Sequence, residues 1–265
     1  IIVHTPFPIS MELGGTHPDD FQLKISVQGS GDIKVFNPIF TEVEPPSANL
    51  PMVVRGDGIY LLYAEENDNV KLNVTCMKMG SNNNSLRFFI LSPTGDVLYE
   101  DELLSNETKE INFRAVESGV FFLYCYAQAN AFNIQTDKPL GLELGAKPIN
   151  LVKPDGYVYF WLPSGLVNTK IKIEGQGPRE QVKATLLNGK GEVVAEKDNI
   201  SGIEPYYFII NRDETNKGEL WSLRLEKASG EVFEDVFITF QSSDIPAISL
   251  SPEIVYVDSS EKEGF

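Results

Sequence analysis

Histidine is nearly absent from this chain of 265 residues: His4 and His17 are the only two, and both lie in a first stretch rich in proline and glycine. That scarcity excludes a Ser-His-Asp triad set on a scaffold, and with it the His-Glu-x-x-His zinc motif. No Gly-x-Ser-x-Gly elbow and no phosphate-binding glycine loop stands in for them. Cysteine is equally sparse. Cys76 and Cys125 permit one bridge at most and fall short of the roughly four closely spaced ligands that a zinc site needs. Basic residues are outnumbered 38 to 22, for a net charge of −16, and the acids are scattered rather than gathered in a tail. Nucleic acid and anionic membrane surfaces are therefore excluded as partners, because both are bound through clustered Lys and Arg. No apolar run approaches the ~20 residues of a membrane helix, so membrane insertion is not expected. The chain opens on Ile1 without an initiating Met or a signal-type leader, as expected of a mature chain. A hydrolase built on paired carboxylates is the one catalytic class that this composition allows.

What the sequence does have is period-two alternation interrupted by turn chemistry. The stretch 119–126 (GVFFLYCY) and the stretch 218–225 (GELWSLRL) both run from a glycine into alternating large apolar residues. Phe121, Leu123 and Cys125 in the first correspond to Trp221, Leu223 and Leu225 in the second. Around this pair a longer repeat is legible. Strands are expected near 59–64, 70–79, 86–91, 97–104, 110–115, 132–136 and 140–144. Further strands near 157–161, 170–174, 182–187, 206–210 and 233–240 answer them. The turn 92–96 (SPTGD) is matched by 188–192 (NGKGE), with Gly191 in the place of Gly95. No stretch shows sustained helical periodicity.

The fold class expected is all-β, with two tandem antiparallel β-sandwich domains of jelly-roll type. Residues 1–54 form an extended segment and a hairpin packed on the first sandwich. Its strands are expected at 21–27 and 33–35, joined by the turn 29–32, after a lead-in with little regular structure. The stiff acidic stretch 41–51 follows it. The first sandwich spans 55–146 and the second 147–257, with Pro148 and Pro154 stiffening the link, and 258–265 is a tail.

The segments GIYLLYA (58–64), LSPTGDV (91–97) and SGVFFL (118–123), with the Asn67-Asp68 turn before an alternating strand, resemble the bacterial pre-peptidase C-terminal domain. The resemblance covers 55–145 well and 150–252 more loosely. It implies a small jelly-roll-like sandwich appended to secreted enzymes, some relatives of which bind collagen, polysaccharide or calcium. From it follows the functional expectation: a non-catalytic, secreted, periplasmic or cell-surface accessory module whose partner is a polysaccharide or an extracellular matrix protein. A structural spacer in a larger exported protein is the alternative.

Three sets of residues are candidates for chemistry. Tyr157, Tyr159 and Trp161 share one phase of one strand, and Tyr206 begins another; exposed rings there would stack on a sugar or anchor a peptide, while inward rings would be core. Asp57, Glu65, Glu66 and Asp68 offer loop carboxylates of the kind that calcium prefers, or serve as solvated turn residues; no cofactor is required. Cys76 and Cys125 both fall on inward strand phases. They are either buried thiols or a disulfide closing a loop of about 50 residues, worth on the order of 4 kcal/mol in the chain-entropy model.

Overall fold

The computed structural model describes residues 9–14, 22–27, 36–43, 52–145, 147–213, 217–229 and 232–258. The chain divides into two units, Ile1–Lys34 and Val35–Phe265. His4, His17, the turn 29–32, the prolines of the acidic connector and all but the first residue of the expected tail lie outside the described residues.

In the first unit, β1 (Ile9–Gly14) pairs antiparallel with β2 (Gln22–Val27), Ile9 opposite Val27 and Gly14 opposite Gln22. The strand over 22–27 thus pairs with the stretch before it; residues 33–35, its expected partner, lie outside the described residues. Residues 9–14 (ISMELG) carry the same two-residue alternation, which the neighbouring prolines and glycines obscure.

The second unit begins with β3 (Phe36–Phe40). The first repeat then supplies β4 (Val53–Ala64), β5 (Asn69–Met77), β6 (Leu86–Leu91), β7 (Val97–Leu103), β8 (Thr108–Arg114), β9 (Gly119–Thr136) and β10 (Leu140–Glu143). The second supplies β11 (Ile149–Val152), β12 (Gly156–Leu162), β13 (Asn168–Gly175), β14 (Val182–Leu187), β15 (Val193–Ile200), β16 (Tyr206–Asn211), β17 (Glu219–Lys227), β18 (Asp235–Phe240) and β19 (Ala247–Ser249). Strand β20 (Ile254–Asp258) returns to pair with β3. No helix occurs among the described residues.

The expectation of two separate sandwiches is corrected here. Sixteen strands, β4 through β19, join in one antiparallel sheet. It has two arms, because β4 and β9 each pass from one to the other. Arm A runs β15-β14-β17-β12-β19-β10-β4-β9-β6-β7, and arm B runs β16-β13-β18-β11-β4-β9-β5-β8. Both orders read as palindromes of the repeat, with β4 and β9 each answering to two strands of the second copy. The repeats are fused where β10 pairs β19 and where β11 pairs β4. Residues 149–152, expected to be a linker, are a strand of that seam.

The crossings are made at a bulge. The pairing of β4 with β9 shifts register between Arg55 and Asp57, where Gly56 has φ 89° and Gln128 on the facing strand has φ 56°. The Asp57 carboxylate accepts the Gln128 N–H at 3.2 Å and fixes the corner.

Between the arms lies one continuous core that ignores the repeat boundary, from Val54 through Ile248. Ring pairs bridge it: Tyr60 to Phe132 at 5.8 Å, Phe113 to Phe121 at 5.5 Å, Phe160 to Phe240 at 5.1 Å. Phe121, Leu123 and Cys125 point into it, as do Trp221, Leu223 and Leu225. The matched turns are built alike. Ser92 N–H donates to the Asp96 carbonyl at 2.8 Å, and Asn188 N–H to the Glu192 carbonyl at 3.0 Å. Gly95 and Gly191 supply the positive φ, 91° and 75°, that each requires.

Candidate functional site

Strand periodicity sends alternate residues of arm A away from the core, and that outer face carries the aromatic residues of interest. Its centre, where β10 meets β19, is covered by β3 and β20. Phe36, Leu61, Val120, Ala247, Ile254 and Tyr256 make a small second core there, with Ile59, Tyr63 and Phe122 at its margin. Two flanks remain, one in each repeat.

On the second-repeat flank, Val158, Phe160 and Leu162 of β12 fill the core, and Tyr157, Tyr159 and Trp161 face outward. The rings of Tyr157 and Tyr159 lie 6.1 Å apart and are 19° from parallel. The Arg224 guanidinium sits 5.6 Å from the Tyr157 ring centroid and is ion-paired to Glu226 at 2.6 Å. Tyr159 is mostly covered, which pushes its phenol up to about 12. Trp161 packs on Gly218, where a Cβ would fall 2.7 Å from Cε2 of the indole. Tyr206 is not part of this group. It starts β16 in arm B and packs edge-on against Phe208 at 4.9 Å, against the core.

The four candidate calcium ligands are not brought together. Asp57 stands at the bulge of β4, and Glu65, Glu66 and Asp68 follow its far end, about 25 Å away at the rise of a strand. In that turn, Asp68 accepts the Glu65 N–H at 3.1 Å and the Lys138 ammonium at 2.6 Å. The Lys138 hydrogen bond holds its carboxyl below the usual range. Among the described residues, no group of three or more His, Cys, Asp or Glu side chains is placed to hold a metal ion.

Cys76 and Cys125 are free, buried thiols. Cys76 pairs with Phe132 in arm B, and Cys125 lies between Gly58 and Phe88 in arm A, so the two sit on different arms and the allowed bridge is not formed. Burial pushes both thiols up, away from reactive thiolate.

The first-repeat flank holds residues that the sequence reading passed over. Phe122, Tyr124 and Tyr126 of β9 face outward in the phase opposite to Phe121, Leu123 and Cys125, all three partly exposed. Phe89 of β6 lies beside them, opposite Tyr124 in register and edge-on to Tyr126 at 6.2 Å. The signal is present in 119–126, where both phases are aromatic or large, so the inward alternation masks the outward one.

No family model matches the chain, the pre-peptidase C-terminal family included, and no curated protein matches it. Among solved structures, it is similar to the M60 catalytic domain with two CBM51 domains of Clostridium perfringens ZmpB, over 72% of this chain and 34% of that one, at 9% identity and a TM-score of 0.27. The chain spans about a third of that structure's length. It is also similar to an N-terminal tandem of CBM22 domains from Paenibacillus barcinonensis, over 75% of this chain and 82% of that one, at 11% identity and a TM-score of 0.20. Similarity of this depth concerns the β-rich fold and carries no functional information.

Proposed function

We propose that the chain is a non-catalytic binding module of an exported protein and that its ligand is a polysaccharide. One observation carries the reading: both flanks of arm A present partly exposed aromatic rings on a sheet face, outside a core that is already filled. A flat ring with a polar rim suits a sugar, which offers C–H groups from its faces and hydroxyls from its edge. Extracellular matrix protein is the second ligand class, and a spacer without a ligand is the alternative role. A glycan array, with collagen and mucin spotted beside it, tests the reading on the whole chain. Retention of at least one polysaccharide is expected. Retention of protein alone overturns the ligand class, and retention of nothing leaves the spacer.

A further inference from the structure

We infer that the first repeat carries the principal site, a row formed by Phe122, Tyr124 and Tyr126 of β9 with Phe89 of β6, and that it takes an uncharged polysaccharide chain. The inference rests on the binding-module reading above and adds a location and a ligand charge.

The three β9 rings form a file, and Phe89 stands beside Tyr124 on the neighbouring strand. Alternate residues of a strand are about 6.6 Å apart, and the Phe122 and Tyr124 centroids are 6.3 Å apart. Phe122 is the inner end, tucked against Phe36 at 5.9 Å. Tyr124 and Tyr126 continue outward from the covered centre, with Phe89 alongside them. A protein partner is gripped by a compact central cluster ringed by weaker contacts. A file of similar rings along one strand instead matches a ligand that is itself a file of similar rings.

The fold does not demand these residues. Leu61 of β4 and Tyr159 of β12 hold equivalent places, each one strand from the seam pair Gly141 and Ser249. Counting registers outward from them, Ser222, Arg224 and Glu226 of β17 stand where Phe122, Tyr124 and Tyr126 stand on β9. Thr185 stands where Phe89 does. Even the ion pair beyond is kept, Lys183 to Glu196 at 3.1 Å for Arg87 to Glu100 at 2.6 Å. One architecture tolerates polar residues at all four positions; Phe122 also packs on Phe36, but packing does not account for the aromatic Tyr124, Tyr126 and Phe89.

Charge selects the ligand. Asp57 lies opposite Tyr126 in register, Glu143 acts electrostatically on Tyr124, and Glu100 and Glu102 line β7 beside Arg87. The Arg87 guanidinium is engaged by Glu100 and by the Phe89 ring, 4.8 Å from its centroid. An anionic chain meets repulsion here; hydroxyl groups meet carboxylate acceptors and two phenols. Burial, reinforced by Glu143 at Tyr124 and by Asp57 at Tyr126, pushes those phenols up to about 12, so both remain donors at neutral pH.

The test uses the full chain in affinity gel electrophoresis, with mixed-linkage β-glucan and galactomannan as neutral probes, polygalacturonate as the anionic probe and soluble collagen as the protein probe. Phe89→Thr and Tyr124→Arg install what the second repeat carries at these positions and are expected to keep the melting temperature. Each should weaken binding to a neutral probe at least tenfold, and more than Tyr157→Ala does. Neutral binding that survives both variants but falls with Tyr157→Ala overturns this location and leaves the binding-module reading intact. Binding to polygalacturonate or collagen alone overturns the ligand assignment. Binding to none of the probes overturns both readings.

Discussion

Replacing Gly141 with alanine should loosen the cover of arm A by a steric route that can be isolated. Gly141 lies on β10, beneath the ring of Tyr256 from β20. A Cβ at this position would stand 2.5 Å from Cε2 of that ring and closer still to Cδ2, well inside contact distance. The φ of Gly141 is not positive, so alanine adds no backbone strain. Tyr256 is buried, and its hydroxyl accepts the Tyr63 N–H at 3.2 Å and donates to the Pro139 carbonyl at 3.1 Å. The ring therefore cannot move aside without giving up both bonds. Overpacking of this kind costs about 1–3 kcal/mol, and each lost hydrogen bond about 1 kcal/mol. Gly141→Ala should thus cost roughly 3–5 kcal/mol, a fall in melting temperature of roughly 6–20 °C for a protein of this size. Tyr256→Ala alone should cost about 3–5 kcal/mol. The decisive assay is the double-mutant cycle by denaturant unfolding. With the ring gone, the added methyl meets only the Ile248 carbonyl oxygen, at 3.3 Å, so the double variant should be nearly as stable as Tyr256→Ala. A Gly141→Ala protein within 0.5 kcal/mol of the parent (about the scatter for surface changes), or strictly additive penalties, would refute the reasoning.

Cys76 and Cys125 should each take one alkyl group after denaturation without reductant and none in the folded protein, read by mass spectrometry; a mass lower by two hydrogens would show a bridge. Arg212→Ala should cost about 2–4 kcal/mol, because the buried guanidinium donates to the carbonyls of Leu162, Pro163 and Lys217; Arg212→Lys should not rescue it, since one ammonium cannot span that fork. Desolvation, then the neighbouring Asp235 and Glu234, raise the Glu180 carboxyl, so folding favours its proton and the penalty appears as pH rises through the folded value. Glu180→Gln should accordingly raise the melting temperature at pH 7 by about 1–2 °C and change nothing at pH 3; a neutral-pH loss would contradict it. Asp68, Asp101, Glu110 and Glu196 are lowered chiefly by hydrogen bonds from Lys138, Lys109, Lys71 and Lys183, and Asp198 by that from Ser229. Their stabilisation is present above the ordinary carboxylate range and lost as pH falls through the folded values, so thermal stability should hold at neutral pH and drop below about pH 4.

The repeat was legible because its signals are local. Inward alternation at Phe121 and Trp221, and glycines placed for the positive φ of two matched turns, are written in short windows and were read correctly. The fusion was not legible. Whether Leu140 and its neighbours end one sandwich or pair with Ala247 to Ser249 depends on contacts more than a hundred residues distant, and the alternation of β10 is the same in both cases. Residues 149–152 (INLV) alternate too, but four residues between two prolines read as a linker until β4 and β18 are placed on either side. For the candidate site, the phase of Tyr157, Tyr159 and Trp161 was readable from one strand. The failure of Asp57 to meet Glu65 was not read, although a continuous strand between them made it inevitable.

The seams explain why the two halves of this duplication differ where they do. A lone repeat would leave β10 and the first half of β4 with unpaired N–H and C=O groups, edges that invite pairing with another chain. Here each edge is met by a counterpart from the other repeat, β19 and β11, and the Arg55 guanidinium reaches across to Asp235 at 2.7 Å. The remaining edges are blunted differently. In the first repeat, Lys109 of β8 is ion-paired to Asp101 of β7, and Tyr99 also donates to that carboxylate. In the second, β15 meets β14 through two register shifts, and exposed Glu196 and Lys197 interrupt its apolar side chains. Hydrogen-bond ladders and the shared core thus bind the inward residues of both repeats to one pattern. The outward phase of β9 and β17 is under no such constraint, and there one repeat carries Phe122, Tyr124 and Tyr126 where the other carries Ser222, Arg224 and Glu226. A change from polar to aromatic side chains on a face that folding leaves free is what a site specific to one repeat requires.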